Sequence, residues 1–152
     1  MILALIALFQ QDPVEEARRW LESVDITYVK TTVDARALSY LSLSGAKGVT
    51  DEGLAHLKDL PALEIVDVSF RGLTAKGLSH LKDCKNLRSV RIVMVALGDT
   101  LVAPLRDCPE LTSLDIQGTD ITDAGLAGLA SLSKLERLDL GGNAKMTDAG
   151  MI

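Results

Sequence analysis

The residues of this chain that could do chemistry are two cysteines, two histidines and a spaced series of charged side chains. Cys84 and Cys108 stand 24 positions apart. If they occupied the same place in stacked copies of one unit, their strands would lie ~4.8 Å apart, inside the range a disulfide permits. The alternative is burial of each as a small hydrophobe. His56 and His80 share the same spacing. Neighbouring helices lie ~8–10 Å apart and no third ligand lines up, so this pair predicts exposed helix residues and not a metal centre. The segment Gly45-Ala46-Lys47-Gly48-Val49-Thr50 superficially suggests a phosphate loop but lacks the G-x-x-x-x-G-K-[ST] spacing. No nucleophile and base can be brought together, so no catalytic residue, cofactor or metal is expected and the chain reads as a non-enzyme.

The spacing itself points to the elements that must carry these residues. The segments Leu38-x-x-Leu41-x-Leu43, Leu63-x-x-Val66-x-Val68, Leu87-x-x-Val90-x-Ile92, Leu111-x-x-Leu114-x-Ile116 and Leu135-x-x-Leu138-x-Leu140 repeat one pattern across residues 37–152. The alternation at the end of each is that of a strand. A turn, an apolar residue and a Thr-Asp-x-Gly-Leu-like step follow, as in Thr50–Leu54, Thr74–Leu78, Thr122–Leu126 and Thr147–Met151. A Thr or Asp there can cap a short helix whose inner face is Leu54/Leu57, Leu78/Leu81 or Leu126/Leu129. One such unit cannot bury its apolar side alone, so the units must stack. The third departs from the pattern: Gly98-Asp99-Thr100-Leu101 replaces the capping step, and Pro104 confines its helix to a start at or just before that residue.

These motifs resemble the leucine-rich repeat, and the segments Asp107–Leu111 and Asp120–Leu126 resemble its cysteine-containing subclass, found in the repeat halves of F-box/leucine-rich-repeat proteins and in bacterial secreted repeat proteins. The resemblance implies an α/β right-handed solenoid, with parallel strands on the concave side and short helices on the convex side. It also implies a non-catalytic module that binds a protein or peptide on the concave sheet. No F-box is recognisable in residues 1–36, so a ubiquitin-ligase adaptor role is not implied. On this reading Ser42, Asp67, Arg91, Asp115 and Asp139 form one concave ladder. Its carboxylates are either a site for a cation or basic peptide, or simply solvated, with Arg91 neutralising its neighbours. Tyr40 and Ile65 flank the ladder on one side; Phe70 and Met94, with Val93, flank it on the other. Exposed apolar side chains on a sheet face mark a partner surface; the alternative is that the third repeat is degenerate and these side chains fold into the turn. The expected interface is therefore Tyr40, Ile65, Asp67, Phe70, Arg91, Val93, Met94, Asp115 and Asp139. Phe70 and Met94, sharing a column, should touch.

Composition limits the remaining choices. The chain has 152 residues, about 17% of them leucine, with 47% hydrophobic, 24% charged and only 3% aromatic. A formal net charge of −5 argues against nucleic acid as a partner. The apolar run Ile2–Phe9 is too short to span a bilayer, so no stable membrane span is expected, and its length suits the core of a signal peptide over residues 1–11. That layout predicts export to the periplasm, cell surface or medium, the alternative being a cytoplasmic protein with a buried N-terminal segment. Residues 12–36 read as an N-terminal cap. Asp12-Pro13 starts an amphipathic helix with Val14, Ala17, Trp20, Leu21 and Val24 on one stripe, and Ile26–Val33 follows as an extended segment. Trp20 reads as packing. The fifth repeat reaches its strand and turn, and its helix would begin at Met151-Ile152. This predicts a structural segment of a longer array, or self-association through that end.

Overall fold

The structure is a computed structural model and describes residues 12–26 and 34–151. Five strands form one parallel sheet in chain order: β1 (Tyr40–Ser42), β2 (Ile65–Asp67), β3 (Ser89–Arg91), β4 (Ser113–Asp115) and β5 (Arg137–Asp139). Equivalent residues pair without slippage, so Leu41, Val66, Val90, Leu114 and Leu138 form one row. The alternation in the sequence is the cause. Leu41, Val66, Val90 and Leu114 point into the core with Leu43, Val68, Ile92 and Ile116 beyond them, while the residues between face the other way.

Each strand leads through a turn into a short helix on the opposite side. These run Gly53–Asp59, Ala75–Leu78 continuing as Ser79–Asp83, Gly98–Leu101 continuing as Val102–Arg106, Asp123–Gly128 continuing as Leu129–Ser131, and Asp148–Met151. Pro104 falls within Val102–Arg106, two residues from its start. Thr50 and Thr74 accept from the amides of Gly53 and Lys76, as the capping step requires. Leu54, Leu57, Leu78, Leu81, Leu101 and Leu105 pack against the strand residues in one continuous core. The fold is thus an α/β repeat solenoid.

Before the repeats, the helix Pro13–Ser23 is capped by Asp12, whose carboxylate accepts from Val14 N at 3.0 Å. Ala17 and Leu21 are buried, and Trp20 lies over Gly53 and stacks on His56 with ring centroids 5.7 Å apart. Asp25 pairs antiparallel with Lys47. The expected extended segment to Val33 lies mostly outside the described residues, and Ile2–Phe9 lies wholly outside them. Among the described residues no helix is long and apolar enough to cross a membrane.

Three of the four junctions between repeats share two further ties. The first is on the helix side. Asp51, Asp99 and Asp123 each accept from the backbone N–H and hydroxyl of the next repeat's threonine: Thr74, Thr122 and Thr147. Gly77, Gly125 and Gly150 lie so close to these carboxylates that a Cβ would collide with them. The second is at the turn, where Gly45, Met94 and Gly118 donate to the carbonyls of Ser69, Gln117 and Gly141. The junction between the second and third repeats has neither. Ala75 stands where the others have Asp, Gly98 stands where they have Thr, and Phe70 N turns back to Val68 O within its own repeat.

Candidate partner-binding face

Three rows of side chains cover the concave side. The first is Tyr40, Ile65, Ser89, Ser113 and Arg137; the second is Ser42, Asp67, Arg91, Asp115 and Asp139. Residues two further on, Ser44, Ser69, Val93, Gln117 and Gly141, make the third. Tyr40 and Ile65 are neighbours and both exposed, at 54% and 41%. They form the apolar corner the sequence predicts.

The middle row has a structural duty that sequence reasoning missed. Ser42, Asp67, Asp115 and Asp139 each accept from the backbone N–H two residues on: Ser44, Ser69, Gln117 and Gly141. This is the Asx- or ST-turn by which a short side chain satisfies the amide where the strand ends. The signal was present as Ser/Asp two residues before each turn. Asp67 is consequently buried, at 5% exposure, and not solvated. Arg91 cannot accept, so Val93 N takes the Ser69 hydroxyl instead, at 2.8 Å. Arg91 itself spans its two neighbours, 3.1 Å from Asp115 and 3.9 Å from Asp67. Asp139 also accepts from Gln117 Nε2 at 2.9 Å. Among the described residues no cluster of three or more His, Cys, Asp or Glu side chains is arranged to hold a metal.

Where Arg91 interrupts the row, the turns of repeats two and three part. The cleft between them, about 670 Å³, is lined by Asp67, Ser69, Phe70, Arg71, Arg91 and Met94 among others. Met94 is its outermost wall, 81% exposed and with φ of +58°. The equivalent residues Gly45, Gly118 and Gly142 have φ of 62–71°, a region that glycine enters freely and a side chain does not.

Phe70 is a correction. Expected beside Met94 on the open face, it is 2% exposed and part of the core. In repeats four and five the turn is filled from inside by Thr119 and Asn143, which bond to each other and to the carbonyls of Ile116 and Leu140. Repeat two has Arg71 at that place, which cannot be buried, so the turn rearranges to put Phe70 inward and moves its left-handed residue to Gly72. Phe70 is therefore a core residue and Met94 an exposed one. Ser69, Arg71 and Ser44 are cleft residues that the period alone did not select.

The remaining candidates lie elsewhere. Cys84 and Cys108 are free, buried thiols that donate to the carbonyls of His80 and Pro104. Burial pushes them up to about 12 and about 11. His56 and His80 are half-buried rather than exposed: His56 is held by Trp20, and His80 Nε2 is enclosed without a hydrogen-bond partner.

No curated protein matches the chain. A family model described as Leucine Rich repeat matches twice, at residues 107–130 and 131–152. Repeats of this kind are commonly protein-binding modules and as a family generally non-enzymatic. The two matched segments coincide with the fourth and fifth structural units, and three earlier units share their strand, turn and helix; the chain is a leucine-rich repeat protein.

Proposed function

We propose that the protein binds an extended segment of a partner protein across its concave sheet, anchored at the cleft beside Met94. The observation that carries this reading is Met94 itself. An 81% exposed thioether in a left-handed conformation, where sibling repeats use glycine, is unfavourable for both solvation and backbone. A flexible, polarisable side chain at a cleft mouth suits contact with an apolar ligand group. Tyr40 and Ile65 offer a second apolar contact on the first two strands. Asp115 and Asp139, with the net charge of −5, favour a partner segment that carries basic residues. The proposed interface is thus Tyr40, Ile65, Arg91, Val93, Met94, Asp115 and Asp139, with Asp67 forming the cleft floor. Export through the Ile2–Phe9 run would place this face outside the cytoplasm.

Selection of a displayed random-peptide library against the folded chain tests the reading. Ligands recovered should combine an apolar anchor with basic residues and bind Met94→Gly about tenfold or more weakly, the loss of one hot-spot side chain. Equal affinity for both forms would remove the cleft from the interface.

A further inference from the structure

The charges lining the cleft beside Met94 run opposite to those of the chain as a whole. They are Asp67, Arg71 and Arg91, two cations to one anion in a protein of net charge −5. Arg91 is already paired with Asp115 and Asp67. Arg71 is exposed, and among the described residues no carboxylate lies within ion-pair distance of it. The backbone here also has bonding capacity to spare. The carbonyls of Ser69, Gln117 and Gly141 each accept from the turn of the preceding repeat. Val93 O, their counterpart, has no donor among the described residues, because Phe70 N has turned back to Val68 O. The N–H groups of Arg71 and Gly72 likewise find no acceptor among the described residues. Gly72 is left-handed, and the space beside it is open.

We infer that the cleft is a subsite for a carboxylate side chain, an Asp or Glu of the partner segment next to the apolar residue that Met94 contacts. This rests on the concave-face reading above and names the polar half of the same anchor. Arg71 supplies the positive charge, the amides of Arg71 and Gly72 supply donors to the carboxylate, and Val93 O accepts a peptide N–H. The charge balance selects a single negative charge. A phosphate dianion would be set against the buried carboxylate of Asp67, and a basic side chain would meet Arg71. A free chain terminus is disfavoured by position. Tyr40 and Ile65 lie toward one end of the array and Asp115 and Asp139 toward the other, so a segment reaching both must continue past the cleft. The partner segment is thus of mixed charge, acidic at the cleft and basic toward Asp115 and Asp139.

Two small probes isolate the charge: the peptide N-acetyl-Leu-Glu-amide and its neutral counterpart N-acetyl-Leu-Gln-amide. Each is titrated into the 152-residue chain to tens of millimolar, followed by the NMR shifts of the Gly72 and Val93 amides and the Met94 methyl. The Glu probe should bind about tenfold more tightly than the Gln probe. That advantage should vanish in Arg71→Gln, return in part in Arg71→Lys, and shrink with added salt. Equal binding of the two probes, or an advantage that survives in Arg71→Gln, overturns the inference. If both probes then bind equally and both weaken in Met94→Gly, the apolar anchor stands without the carboxylate subsite. Absence of any shift with either probe also overturns the subsite, and the peptide selection described above then decides separately whether Met94 anchors a ligand.

Discussion

Replacing Met94 by glycine should make the protein more stable while making it a poorer binder. A side chain at φ of +58° costs ~1–2 kcal/mol relative to glycine at the same backbone position. Against this, glycine restores ~0.5–1 kcal/mol of conformational freedom to the unfolded chain. Little packing is lost, because Met94 is 81% exposed. The balance is a gain of ~0.5–1 kcal/mol, or a rise in Tm of ~1–4 °C for a chain of this size. Met94→Ala is the control. It removes the same exposed thioether but keeps a Cβ in the left-handed region, so it should lie within ~0.5 kcal/mol of wild type. Urea unfolding followed by far-UV circular dichroism compares all three forms. If glycine proves no more stable than alanine at this position, backbone conformation is not what distinguishes Met94, and the reasoning that reads it as a functional residue is refuted.

Phe70→Ala should cost ~3–5 kcal/mol in the same unfolding measurement, the signature of an emptied core site and not of a trimmed surface. Asn143→Ala strands the buried N–H of Thr119 and removes one of the two donors to the carbonyl of Ile116, and should cost ~1–3 kcal/mol. Because burial raises both thiols in the folded state, their contribution to stability is full below the unfolded thiol range (about 8.5) and is lost as pH climbs toward 11–12. Native protein should accordingly react slowly with a disulfide reagent at pH 8 and rapidly in denaturant. Amino-terminal sequencing of protein from its native source should find a start between about Leu8 and Asp12 if the apolar run directs export; an intact Met1 refutes it.

The strands were fully legible because a period of 24 residues and an alternation of two leave no freedom in register. The same period misled at Phe70. Column arithmetic assumes every turn has the same shape, yet turn shape depends on which residue can be left-handed and which can be buried. Arg71 meets neither condition in repeat two, and its presence was the clue that a neighbour must go inside. The middle row was read as a charge ladder because carboxylates suggest ligands; their bonds are local, each to an amide two residues away. Met94 stood out in the sequence as an apolar residue on a polar face, and its backbone conformation follows from alignment with Gly45, Gly118 and Gly142.

The junction between the second and third repeats bears on how the chain comes apart. In a linear array, cooperativity is the product of nearest-neighbour couplings, so one weak link divides the array in two. Here the strand pairing and the apolar packing persist while both polar ties are missing. Partial opening at that point frees one block, the leading helix with repeats one and two, from another, repeats three to five. Amide protons near Val93 should then exchange through a fluctuation smaller than global unfolding. A ligand seated between Asp67 and Met94 would bridge the two blocks and knit them into a single cooperative unit, so that occupancy at one turn is felt as rigidity along the whole array.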